Sequence, residues 1–127
     1  LKSDLAAPWR SPMLSCAYKY QIDVDGWASG YHRCQWVLRS NCVPLKQESD
    51  YLQWYYSGLK PYVHYIPYLP DCSDLAEKID YLQKHDEIAY QIAHAGQKFY
   101  NQYLTREMTY LYLYEVLKEV LAKWKSP

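Results

Sequence analysis

The chain has 127 residues, the size of one small domain. Fourteen basic and fourteen acidic side chains leave a formal net charge of zero, which argues against a basic nucleic-acid binder and against a polybasic membrane anchor. Sixteen Tyr and five Trp against one Phe give rings with polar tips, suited to a core and equally to stacking beneath a sugar or a base.

Residues 1–15 contain Pro8 and Pro12 and read as a linker entering from a preceding domain. The chain starts at Leu1 without an initiator Met, so it is expected to be a piece of a longer protein. No run reaches the length of a membrane-spanning helix, and no secretory leader precedes the first element. Residues 18–24 alternate and predict a strand, with Tyr20, Ile22 and Val24 on an apolar face and Lys19, Gln21, Asp23 and Asp25 on the other.

A turn with Gly26, Ser29 and Gly30 follows, then a helix predicted over 31–39 that buries Cys34, Val37 and Leu38, with Trp36 at its side. Strand, Gly-rich turn and helix N-terminus make a phosphate site, because the first helical N–H groups lack partners and the helix dipole favours an anion. Arg33 falls in the first helical turns, and its planar fork suits phosphate oxygens. The competing reading is that the two glycines only serve a tight turn. Asp23-Val24-Asp25 also spells a DxD, two carboxylates on one strand face that could hold a divalent metal; no third ligand is evident nearby.

Ser40 and Asn41 end the helix, and residues 42–45 predict a second strand. Pro44 removes a ladder donor there, so the strand is either bulged or has that position facing no partner. Lys46, Gln47 and Glu48 then lie at the strand's carboxyl end, where ligands bind in open α/β sheets. Residues 51–57 predict a short aromatic helix stopped by Gly58. Residues 63–66 predict a third strand closed by Pro67 and Pro70, with His64 either a donor contact or a satisfied core histidine.

The last third reads as helical. Ser73 is the expected N-cap of a helix burying Leu75, Ile79 and Leu82. Asp86 and Glu87 open a second, with Ile88, Ile92, Ala95, Phe99 and Tyr103 on one face and Gly96 at a close packing point. Thr105 caps a third, whose expected buried stripe is Leu113, Leu117, Val120, Leu121 and Trp124. Cys16, Cys34, Cys42 and Cys72 match no zinc spacing; their even count is compatible with disulfides without requiring them, and buried free thiols are the simpler reading.

The ordered set YKYQIDVDG (residues 18–26), LKQES (45–49), Gln53-Trp54-Tyr55-Tyr56, LKPYVHYIP (59–67), Ser73-Asp74-Leu75 and His85-Asp86-Glu87 resembles the capsule-associated-protein type of glycosyltransferase. This is glycosyltransferase family ninety, with its Rumi-like protein O-glucosyltransferases and its bacterial relatives. The resemblance runs from about Cys16 to about Trp124, and Pro44 departs from it. It implies an α/β fold: the Rossmann-like carboxyl-terminal half of a GT-B enzyme, a short parallel sheet with flanking helices and a helical tail, over residues 16–127. It implies a UDP-sugar donor, glucose or xylose, a protein or surface-glycan acceptor, and no further cofactor or metal. Donor contacts are then expected from Asp25, Gly26, Ser29, Gly30, Arg33, Lys46, Gln47 and Glu48, and more weakly from His64, Glu87 and Gln91. The general base is expected in an amino-terminal half, so no catalytic residue is assigned here. Rumi-like animal members work in the endoplasmic reticulum lumen, whereas bacterial ones are expected in the cytoplasm, building surface polysaccharides such as capsule or lipopolysaccharide. The alternative is a nucleotide-binding or interaction domain without transferase activity.

Overall fold

The computed structural model describes residues 12–30 and 32–124. The expected linker lies outside the described residues over 1–11, and Pro12–Ser15 forms one helical turn, α1. Three strands follow, β1 (Tyr20–Asp23), β2 (Val43–Gln47) and β3 (Ile66–Tyr68), parallel and in that order across one sheet. The register pairs Ile22 with Leu45 and Leu45 with Ile66. The remaining elements are α2 (Arg33–Arg39), a 3₁₀ turn (Tyr56–Gly58), α3 (Leu75–Lys84), α4 (Asp86–Tyr103) and α5 (Arg106–Trp124). The α/β class and the short parallel sheet stand as expected from the sequence.

Val43, Leu45, Ile66 and Tyr68 form the main core with Leu82 of α3 and Ala89, Ile92 and Ala93 of α4. A second cluster joins Cys34 and Leu38 of α2 to Tyr55, Leu59, Phe99 and Leu104. Gly96 sits where α4 crosses this region: a Cβ there would lie 2.9 Å from Leu38 Cδ2 and 3.1 Å from the His64 carbonyl oxygen. That is the close packing point expected of it.

The alternation of β1 is inverted relative to expectation. Gln21 and Asp23 are buried, while Ile22 and Val24 are exposed. β1 is an edge strand, and α3 and α4 reach its first residue, Tyr20, as part of their core. The Gln21 amide is buried because it donates to the carbonyls of Ser15 and Tyr18.

Pro44 fits without a bulge. Val43 N–H donates towards β1, to the Lys19 carbonyl, so the next residue's nitrogen points towards β3, where pairing begins only at Leu45. β3 lies later than expected, at 66–68 instead of 63–66, and Pro67 is inside it. The Tyr68 carbonyl accepts from Glu48 N–H, so the intervening Pro67 nitrogen faces the outer edge, where no donor is needed. The helix expected over 51–57 shrinks to the 3₁₀ turn, and Gly58 lacks a positive φ. It serves instead as a close contact, since a Cβ would sit 3.0 Å from the Phe99 ring.

Asp74, not Ser73, stands at the N-cap of α3; its carboxylate accepts from Leu69 N–H at 2.9 Å and pairs with Lys78 at 2.6 Å. The buried face of α4 is Ala89, Ile92, Ala93, Gly96 and Phe99, so Ile88 and Tyr103 point outward. Thr105 does cap α5, its hydroxyl accepting from Met108 N–H at 3.4 Å. The stripe expected to be buried on α5 is exposed: Leu113, Leu117, Val120, Leu121 and Trp124 all face solvent. A ring stack between Tyr112 and Trp54, with centroids 4.4 Å apart, ties the helix to the domain near its start. Beyond it, α5 projects away from the core. Replacing both Leu117 and Leu121 by Gln should therefore change the unfolding free energy of this chain by less than about 0.5 kcal/mol each. Urea titration checks this, and a loss of more than about 2 kcal/mol would mean the stripe is covered in solution.

Candidate functional site

The carboxyl ends of β1 and β2 carry the loops that form the site. After Asp23 the chain turns through residues 24–32 into α2. Gly26 N–H donates to the Ala28 carbonyl at 2.9 Å, and Arg33 N–H to the Gly30 carbonyl at 3.0 Å. Asp25 closes the turn: its Oδ1 accepts from Gly30 N–H at 2.9 Å, while its buried Oδ2 has no partner. Of the two glycines, Gly30 is the sterically required one. A Cβ there would lie 2.5 Å from Asp23 Oδ1, whereas Gly26 has open space around it.

Two bonds tie this turn to the neighbouring strand end. Asp25 N–H donates to Gln47 Oε1 at 2.9 Å, and the Gln53 amide donates to Ser29 Oγ. The result is a pair of concavities. One, of about 420 Å³, is lined by residues 24–30 and Arg33. The other, of about 540 Å³, has Lys46, Gln47 and Glu48 on one side and Trp54, Tyr56 and Tyr65 among its aromatic walls. Arg33 Nη1 donates to the Val24 carbonyl at 3.4 Å, which leaves most of its fork in the first concavity. Lys46 is only 7% exposed; its Nζ donates to the Gln47 carbonyl at 3.2 Å and lies 4.5 Å from the Tyr56 ring centre.

Beneath both concavities lies Asp23, 1% exposed, with neither carboxylate oxygen accepting a hydrogen bond from nitrogen or oxygen. Burial pushes its pKa up to about 6, against the pull of Lys46 and then Arg33. Cys34 beside it is pushed up to about 12, chiefly by burial and then by Asp23, so it is an inert thiol. The buried Tyr55 and Tyr56 hydroxyls are likewise raised by burial first and by Cys34 second.

Asp25, Gly26, Ser29, Gly30 and Arg33 thus share one concavity, and Lys46, Gln47 and Glu48 share the adjoining one. Tyr31, where the helix was expected to begin, lies outside the described residues. His64 stands apart. Its Nδ1 accepts from Lys60 N–H at 2.9 Å, its ring is 5.1 Å from that of Phe99, and it lines a separate cleft beside α4. Burial, then Lys60, lowers its pKa, as for a structural neutral imidazole. Glu87 and Gln91 are exposed on the first turns of α4, whose Asp86 pairs with Lys19 just before β1. That is the opposite end of the sheet from the concavities. Sequence reasoning weighed Asp23 only as a metal ligand and passed over Gln53, Trp54 and Tyr65. Their signal was the polar residue set within an aromatic run. Among the described residues, no three His, Cys, Asp or Glu side chains gather as a metal-holding group, and no helix is long and apolar enough to cross a membrane.

The model of glycosyl transferase family 90 matches residues 10–125. The chain belongs to glycosyl transferase family 90. Among relatives, it is 41% identical over 102 residues to protein O-glucosyltransferase 2 of Danio rerio, covering 80% of this chain and 20% of that protein. It is 36% identical over 109 residues to human protein O-glucosyltransferase 3, covering 86% and 21%. Human protein O-glucosyltransferase 1 is 29% identical over 104 residues, covering 82% and 26%. The chain therefore spans about a fifth to a quarter of the length of these family 90 relatives.

Proposed function

We propose that this chain is the donor-binding part of a family 90 glycosyltransferase, binding a UDP-linked sugar, glucose or xylose, for transfer to a hydroxyl on a protein or a surface glycan. One observation carries the reading. The loops after two adjacent parallel strands are bonded to each other through Asp25 and Gln47, so that Arg33 and Lys46 serve adjoining concavities at the carboxyl edge of the sheet. That is where open α/β sheets take nucleotides, and it fits the donor half of a GT-B enzyme. Arg33 meets the diphosphate and stabilises it as it leaves the anomeric carbon. The aromatic walls offer the ring faces on which a base or a pyranose stacks.

Deprotonation of the acceptor needs a carboxylate of suitable reach. Asp23 is sealed and Asp25 is committed to Gly30. Glu48, the exposed carboxylate of the larger concavity, is assigned to the donor. The base is assigned to an amino-terminal half because the resemblance to Rumi-like enzymes implies it, and the 127-residue chain alone should bind donor without turning it over. Donor binding is also assigned no divalent metal. Calorimetry with UDP-glucose in chelator and then in manganese tests both binding and metal dependence. Micromolar to millimolar binding unchanged by chelator is expected. A metal-dependent tightening beyond about tenfold, near 1.4 kcal/mol, would restore the DxD reading. Absence of binding to the folded chain would remove the donor assignment, and robust transfer by the chain alone would place the base within it.

A further inference from the structure

We propose that Asp23 is a positioning residue that couples donor binding to proton uptake: a diphosphate drawn onto Arg33 and Lys46 takes away the cations that hold Asp23 ionised, and the sealed carboxylate binds one proton. The inference rests on the donor-site reading above.

The geometry is specific. Asp23 lies under Gly30, with no space between them for even a methyl group. Both oxygens are buried without an N–H or O–H partner, and solvent does not reach them. The charged and titratable groups facing the carboxylate come from every side. They are Lys46 of β2, Arg33 and Cys34 of α2, Asp25 of the turn, Tyr55 and Tyr56 of the 3₁₀ segment, and Tyr68 of β3, whose hydroxyl donates to the Asp23 carbonyl at 3.2 Å. Only Lys46 and Arg33 favour the ionised form strongly, and they line the two concavities. In the free protein they hold Asp23 near the middle of the accessible pH range, at about 6. An anion bound to the same two cations opposes their effect and adds its own negative charge, so the carboxyl titrates higher in the complex. The reaction is carboxylate plus one proton from solvent giving the neutral acid, with nothing oxidised or reduced.

Linkage sets the sign. Binding that takes up a proton is tighter at low pH. UDP-glucose is the suitable probe, because its diphosphate is a diester whose charge is constant over this range. Its affinity should fall about tenfold between about pH 5.5 and about pH 8, the amount corresponding to a one-unit rise of the Asp23 pKa in the complex. Calorimetry in two buffers of different ionisation enthalpy should show uptake that peaks at about half a proton at about pH 6.5, midway between the two titrations. Uridine, which has no phosphate, should show none.

Asp23→Asn, a neutral near-isostere, should bind UDP-glucose about equally at all these pH values. Its affinity at about pH 8 should match the wild-type affinity at low pH. A purely structural role for Asp23 would weaken binding at every pH, which overturns the proposal. Uptake that persists in Asp23→Asn would assign it to another group, exposed His32 beside Arg33 being the first, and also overturns it. UDP-glucose binding by both proteins without proton uptake overturns this inference and leaves the donor site standing. No UDP-glucose binding by the folded wild type overturns both.

Discussion

Arg33→Ala is expected to weaken UDP binding by about ten- to a few hundred-fold while leaving uridine binding unchanged. Arg33 is the first residue of α2, exposed, and held by one long bond to the Val24 carbonyl. Its remaining guanidinium donors face the turn concavity, whose other lining residues carry no cation. A charge-assisted hydrogen bond contributes roughly 1.5–3 kcal/mol, so the net loss of one from the guanidinium fork corresponds to about ten- to a few hundred-fold. Lys46 does not make up the loss, because its ammonium serves the adjoining concavity, beside Tyr56 and the Gln47 carbonyl, and does not line the turn concavity. Gly30 N–H is also spent, on Asp25. Titrating UDP and uridine against both proteins, with folding checked by circular dichroism, gives the answer. Equal UDP affinities would take Arg33 out of the site.

Asp23→Asn should stabilise the chain at about pH 8 by roughly 2–3 kcal/mol. Burial raises the wild-type carboxyl to about 6 in the folded chain, against 3.8 for an unperturbed aspartate. A raised folded pKa means that the native state holds a proton which the unfolded state has released. Its stabilising contribution is complete below 3.8 and is lost as pH rises through about 6. At about 1.4 kcal/mol per pH unit, the gap corresponds to about 3 kcal/mol, and relaxation around the charge trims it. Asparagine carries no charge to bury, so its urea midpoint should stay flat over that window while the wild type declines. The two proteins should converge at about pH 4. Parallel pH profiles would show that Asp23 is not the buried charge.

Such a gain marks Asp23 as a position where stability is set against another demand. An ionised carboxylate with only a thiol to donate to it is costly inside a fold. The nearby pair of cations offsets only part of that cost, as the raised pKa records. Proton coupling to the donor is the demand proposed here.

Several features were determined by the sequence alone. The β–turn–α order around Gly26 and Gly30, the burial of Cys34, Val37 and Leu38 and the Thr105 cap are local. Each depends on neighbours within a few residues or on helical spacing, and a sequence displays both. The ordered motifs likewise sufficed for the family, because their spacing is a one-dimensional property. Tertiary structure decided the rest. Alternation marks the two faces of β1 but not which one is covered; α2, which sets Cys34 against the Asp23 carboxyl, and the bonds from Gln21 to the Ser15 and Tyr18 carbonyls put those two inside, while α3 and α4 reach only Tyr20 on the other face. An apolar stripe shows that α5 can be buried, yet the helix leaves the core after Tyr112, so its leucines stay exposed in this chain. Neither spacing nor composition places Glu87 near Lys19 at the far end of the sheet, or His64 in a different cleft from Lys46. The sealing of Asp23 needs Gly30, Cys34, Tyr55 and Tyr56 to converge from separate segments, and only the packed chain brings them within reach of one carboxylate.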